Sequence, residues 1–135
     1  MDNKKIIVTI ERASDGFYSA YVEDTDSLPF GATGEGSTVE EAKRDFLNVV
    51  DSFVKEDGYK LPEGLEFVYT YDVASFLAYY SNILTQAGLS KLTGINPQQL
   101  SHYATGHRHP SAKTVEKIQK GLDKFANDIL RMRLS

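Results

Sequence analysis

The period of the hydrophobic residues changes once along this chain, and the change falls at Asp72. Before it, apolar residues alternate with polar ones in several short runs. After it, they recur every three to four positions. Period two lines one face of a strand, and a spacing of three to four lines one face of a helix. A sequence written in one period does not settle as the other element. The pattern therefore predicts an α+β first domain over residues 1–72 and an all-α second domain over residues 73–135. In a chain of 135 residues each is small, near the size at which one hydrophobic core becomes marginal.

The runs can be placed one by one. In "KKIIVTIE", residues 4–11, Ile6, Val8 and Ile10 share one face, with Ile7, Thr9 and Glu11 opposite. Asp15 and Gly16 supply turn chemistry, so "FYSAYVE", residues 17–23, should return as the second strand of a hairpin. Pro29 interrupts the pattern, and "FGATGEG", residues 30–36, reads as a short third strand weakened by glycine. A helix follows. Thr38 and Glu41 have capping-box spacing, Val39, Ala42, Phe46, Val49, Val50 and Phe53 form its apolar stripe, and Gly58 stops it. "LEFVYTYD", residues 65–72, is a fourth strand with Leu65, Phe67, Tyr69 and Tyr71 on one face. The order β-β-β-α-β implies a small antiparallel sheet of three to four strands covered by one helix.

Beyond Asp72, itself placed to cap the next helix, come "VASFLAYYSNIL", "TQAGLSKLTG" and "PQQLSHYAT". The last of these has Asn96 as cap, Pro97 in its first turn and Gly106 at its end. "HRHPS" is a loop, and residues 111–134 form a final helix or two, with Gly121 a possible break.

Charge divides along the same line. Residues 1–72 carry seven Lys or Arg against sixteen Asp or Glu, a net of −9, and residues 73–135 carry eight against three, a net of +5. Two partners of opposite charge are the natural expectation. Cysteine is absent, which excludes disulfides, thiol nucleophiles and cysteine-based metal sites and suits the cytoplasm. No apolar run reaches the ~18 residues of a membrane span. "IIVTI" is too short for a signal-peptide core.

The second and third helices of the all-α part have the components of a helix-turn-helix. Ala87 is small, Gly94 permits the turn, and Leu89, Leu92, Ile95, Leu100 and Tyr103 can bury between the helices. Gln98, Gln99, Ser101, His102 and Thr105 fall on the outer side of the third helix. Such short, bifunctional side chains read base edges in the major groove, where Gln can bond adenine with both groups. A plain helical hairpin with a polar outer face would carry the same residues. Gln86, Leu89, Ser90, Gly94, Ile95, Leu100, Ser101, Tyr103, Gly106 and Pro110 together resemble the Xre/Cro-like repressors, with Ser90 standing where that family usually has alanine.

The resemblance implies double-stranded operator DNA as partner. Gln98, Gln99, Ser101 and His102 become the candidates for base contact, and Gln86, Thr105, His107, Arg108 and Lys113 those for phosphate contact. Pro97 occupies a place where many relatives carry a reading side chain. A single helix-turn-helix reads a half-site, so a homodimer or homotetramer is expected, with Phe125, Ile129 and Met132 of the last helix as the dimer seam. His102, His107 and His109 raise a metal site, but their spacing and the lack of cysteine argue against one, and no metal or cofactor is expected.

For the acidic part three readings compete. Glu11, Glu41, Asp45 and Asp72, near strand and helix ends, suggest the carboxylates of a truncated RNase H-like fold. Two-metal chemistry needs converging acids that the sequence does not show, so no enzyme is expected. "GATGEGS" lacks the ending of a phosphate-binding loop. Phe17, Tyr18, Tyr21, Phe67, Tyr69 and Tyr71 could line a pocket in a stand-alone ligand-responsive repressor, although aromatics in strands are more often sheet core. The third reading is capture of a basic protein. Tyr18, Ala20, Leu28, Pro29, Ala32, Gly34, Gly36, Thr38, Glu40, Glu41 and Ala42, within residues 17–50, resemble the partial RNase H-like domain of HicB antitoxins. "EDTDSLPFG" departs from that family's usual core, and its cysteine is missing. The resemblance implies a HicA-like toxin as partner, a small basic mRNA-cleaving protein, held by Glu23, Asp24, Asp26 and Phe30, and repression of the antitoxin's own operon.

Overall fold

Alternation in the first run separates its two faces: Ile6, Val8 and Ile10 are almost fully buried, while Ile7 is 49% exposed. A computed structural model describes residues 4–24 and 26–135 and divides the chain into two compact units, Met1–Asp72 and Val73–Ser135. The first unit runs β1 (Lys5–Arg12), β2 (Tyr18–Val22), β3 (Thr33–Gly36), α1 (Val39–Glu56) and β4 (Glu66–Tyr71). The second runs α2 (Val73–Tyr80), α3 (Gln86–Thr93), α4 (Pro97–Ala104) and α5 (Ala112–Leu130). The fold is α+β, a four-stranded sheet with one helix followed by a helical unit.

The sheet has the order β3-β2-β1-β4. It is mixed rather than antiparallel: β4 runs parallel to β1, with Ile6, Val8 and Ile10 opposite Phe67, Tyr69 and Tyr71. The reason is the connection. β3 is antiparallel to β2, and β2 to β1, so β3 and β1 point the same way. A strand that follows β3 through a helix returns parallel to it, because a helical crossover joins parallel strands. The third strand also starts later than its sequence pattern suggests. Phe30 turns aside to stack on Phe53, with ring centroids 4.4 Å apart, and lies 5.4 Å from Tyr59.

α1 covers one face of this sheet. Val39, Ala42, Phe46 and Val50 are its buried residues, and Phe46 meets Phe67 edge-on at 5.2 Å. Gly34 makes the contact possible: a Cβ there would lie 2.2 Å from the Phe46 nitrogen and 2.4 Å from the Ala42 oxygen. Glycine in β3 thus weakens the strand but allows helix and sheet backbones to touch. The Thr38 hydroxyl accepts the Glu41 N–H at 3.1 Å. The Glu41 carboxylate accepts both the backbone N–H and the hydroxyl of Ser37, at 2.8 and 2.6 Å. The return bond of this cap therefore goes to Ser37, one residue before the N-cap. These bonds hold the Glu41 pKa below its ordinary value, the Ser37 hydroxyl contributing most.

The second unit has its own core of Leu77, Leu89, Ile95, Leu100, Tyr103 and Ile118. α5 is one continuous helix, not two. Gly121 does not break it, because its role is close approach: a Cβ there would lie 2.4 Å from the Leu92 carbonyl oxygen on α3. Ala87, expected where α3 and α4 cross, instead faces solvent.

Two outcomes follow. Gly121→Ala gains helix propensity, roughly 1 kcal/mol, but sets a methyl group against a backbone carbonyl. A net loss of about 1–3 kcal/mol is expected in chemical denaturation of the second unit. For Glu41, folding lowers the pKa, so its ionised form adds stability above the usual carboxylate range and that contribution fades as acid protonates it. Melting temperatures of wild type and Glu41→Gln should differ near neutrality and converge as pH falls.

Candidate nucleic-acid interface

The turn between α3 and α4 fixes what α4 can present. Gly94 ends α3 in the left-handed region, with φ 74°, and its N–H donates to the Ser90 carbonyl at 2.8 Å. The buried Thr93 hydroxyl donates to the Leu89 carbonyl at 2.7 Å and accepts the Ile95 N–H at 3.2 Å. Lys117 of α5 reaches the Gly94 carbonyl at 3.4 Å. The sequence hid Thr93, because a threonine before a glycine reads as a helix end and not as a buried connector. Thr85 is the N-cap of α3, its hydroxyl accepting the Gly88 N–H at 2.9 Å.

α4 starts where Asn96 and Pro97 place it: the Asn96 side chain accepts the Gln98 N–H at 2.7 Å. Leu100 and Tyr103 turn into the core and Ala104 is half-buried. Gln98 and Gln99 are exposed, and Ser101 and His102 are half-buried. Gln98 and His102, and Ser101 and Thr105, are spaced four apart, so these side chains form one outward strip with Gln99 on its flank. The following loop curls back on the strip. The Arg108 N–H donates to the His102 carbonyl at 3.3 Å, and the rings of His102 and His107 lie 5.2 Å apart. The Thr105 hydroxyl donates to the same carbonyl at 3.2 Å.

Four candidates, His102, Thr105, His107 and Arg108, are thus brought together at one end of the strip. Gln86, exposed at the start of α3, borders α4 through a small pocket it shares with Leu89, Leu100 and Ala104. Lys113 stands exposed in the first turn of α5. No Asp or Glu occurs between Val73 and Val115. The stretch that carries α4 therefore offers phosphates cations and neutral donors without a repelling carboxylate of its own.

Residues 81–124 match the helix-turn-helix family. That segment contains α3, α4 and most of α5, and it is the helix-turn-helix of a DNA-binding transcription regulator. The chain matches no curated protein and no solved structure.

The other candidates are placed differently. Glu23, Asp24 and Asp26 are exposed, and Asp24 accepts the Asp26 N–H at 3.1 Å. Asp24 and Phe30 border one shallow pocket of about 230 Å³ with Val22, Leu28 and Ala32. Glu23 acts instead on Tyr21, on the opposite side of the sheet from Phe30 and its partner Phe53 on α1.

The aromatic residues considered for a ligand pocket also divide. Tyr18, Phe67, Tyr69 and Tyr71 take the helix side, Tyr21 the other face, and Phe17 is 53% exposed beyond the hairpin turn. They do not converge on one cavity. Glu11 bonds the Tyr21 hydroxyl, Glu41 caps α1, and Asp45 accepts the Glu35 N–H at 2.8 Å, three separate local tasks. Among the described residues no three His, Cys, Asp or Glu are grouped to hold a metal. Phe125 and Ile129 are 37% and 48% exposed on α5, whereas Met132 lies just past the helix end.

On DNA from upstream of the chain's own gene, Gln98→Ala and Gln99→Ala should each cost about 1–3 kcal/mol per lost base contact. Gel-shift titrations against a scrambled duplex measure this. Arg108→Ala should instead weaken binding to both duplexes and reduce the slope of log K against log salt by about 1.

Proposed function

We propose that this protein is the antitoxin of a type II toxin–antitoxin pair. Its first unit neutralises a basic, HicA-like mRNA-cleaving toxin in the cytoplasm, and its second represses the pair's own operon. The observation that carries the reading is the division of charge between two separately folded units, −9 against +5. An anionic unit of this size steers a cationic protein toward it and competes with the RNA that the protein would otherwise bind. The helix-turn-helix unit, free of that charge, keeps its affinity for phosphate. The order of the two units and the residues from Tyr18 to Ala42 support the same reading through their resemblance to HicB antitoxins.

A helix-turn-helix acting alone reads one half-site, so the protein acts as a homodimer or a pair of homodimers on a palindrome. The seam is the exposed end of α5. Val115, Ile118, Leu122, Phe125 and Ile129 alternate in steps of three and four, the spacing of a helix that pairs with another. Ile118 is consumed by the core of the unit, and the stripe beyond Leu122 is left for the second copy. The alternative of a stand-alone repressor responding to a small ligand is less well supported, because its pocket-lining aromatics lie on different faces of the sheet.

Co-expression tests the main reading. The product of the short frame beside this gene should co-purify with the chain, arrest growth when expressed alone, and lose that effect when the first 72 residues are intact. A neighbouring product that neither binds nor harms the cell rules the antitoxin out and leaves the repressor. For the seam, Phe125→Asp with Ile129→Asp should halve the sedimenting mass and weaken operator binding at least about tenfold, as expected when two half-sites no longer act together.

A further inference from the structure

We propose that the bare face of the sheet, opposite α1, is the surface on which the first unit takes its basic protein partner, with Glu11, Glu23 and Glu35 meeting Lys or Arg side chains around Ile7 and Tyr21. This rests on the antitoxin reading and relocates its contact surface, since sequence alone pointed to the loop from Glu23 to Phe30.

A two-layer unit with one helix covers one sheet face only, and the register defines what the other presents. Glu11 stands opposite Ser19, and Ser19 opposite Glu35, so two carboxylates flank a small hydroxyl in one row across β1, β2 and β3. The next row places Thr9, Tyr21 and Thr33 side by side. Ile7 lies further along β1 and is 49% exposed, large and apolar for an open surface. A partner that covered it would gain hydrophobic contact inside a charged rim.

Among the described residues, Glu11, Glu23 and Glu35 take part in no ion pair. The Tyr21 hydroxyl donates to Glu11 at 2.7 Å. That bond, then burial, then the charges of Glu11 and Glu23 push the Tyr21 phenol up to about 12. The Tyr21 hydroxyl that Glu11 holds is thus a neutral donor, standing where a cation would serve the carboxylate better. Lys5, which shares this face, stands opposite Glu66 at the far end of β1. The Lys55–Asp51 pair lies on α1. A guanidinium arriving from outside would give such a carboxylate a charged, two-pronged donor.

The same charges select the occupant. A second copy would set glutamates against glutamates, and nucleic acid would bring phosphates to them. A cationic protein surface is the complement. The four strands are hydrogen-bonded into one sheet, so the surface is formed before the partner arrives and costs little ordering.

The test uses the full chain and a Glu11→Gln, Glu23→Gln, Glu35→Gln triple variant, checked by circular dichroism for an unchanged fold. In the first arm, relaxation enhancement of the Ile7, Ser19 and Tyr21 amides is measured with a trimethylammonium nitroxide and with a neutral hydroxyl nitroxide. The cationic probe should act several-fold more strongly on wild type, and the two should act alike on the variant, as expected for an attracting surface field. Equal action on wild type overturns the proposal. In the second arm, the basic protein that co-purifies with the chain is titrated into both. The variant should bind at least about tenfold more weakly, with a flatter salt dependence, while operator binding is unchanged. Equal affinity overturns the surface and leaves the antitoxin standing. A wild-type chain that binds no basic protein overturns both.

Discussion

Both units are organised around a point where one backbone presses on another with no side chain between. In the first, Gly34 of β3 lies under α1, where a Cβ would be 2.2 Å from the Phe46 nitrogen. In the second, Gly121 of α5 lies against α3, where a Cβ would be 2.4 Å from the Leu92 carbonyl oxygen. Small cores have little apolar surface to spare, and bringing helix and sheet, or helix and helix, into direct contact uses that surface fully. The consequences reach the sites. α1 pressed on one side of the sheet leaves the other side bare. α5 pressed on α3 holds the turn at Thr93 and Gly94, which sets how α4 stands out of the core.

Charge is partitioned along the same division. From Val73 to Val115 there is no carboxylate, and the outward strip of α4 lies inside that stretch. The acids of the first unit are mostly exposed. Asp51 pairs with Lys55, but others bound locally meet hydroxyls and backbone N–H groups, as Glu41 does at Ser37 and Asp45 at Glu35. Such bonds orient a carboxylate without cancelling its charge. The two fields therefore belong to different compact units of the chain.

Much of this was legible in the residues. Alternation in Ile6, Val8 and Ile10, the stripe from Val39 to Val50, and the cap at Asn96 and Pro97 are local signals, and the structure places the corresponding elements within a few residues. The face of α4 was legible for the same reason, since Leu100 and Tyr103 define its inner side. What was hidden depends on a distant partner. Gly34 and Gly121 looked like weak points, because propensity records the cost of a glycine and not the backbone it admits. The parallel placement of β4 comes from the path of α1 and not from any residue in β4. Phe30 reads as the start of β3, and only the ring of Phe53 on α1 explains why it stands aside from the strand. Thr93 gave no signal, because a buried connecting hydroxyl and a solvated one are written with the same letter.

The division of labour between the two units is tested most directly by amide chemical-shift mapping of the full chain on addition of upstream duplex DNA. Shifts concentrated from Gln98 to Arg108 and at Gln86, with residues 4–72 unmoved, are expected. Shifts spread over the acidic unit, or an α4 strip that does not respond while DNA is bound, would contradict the division.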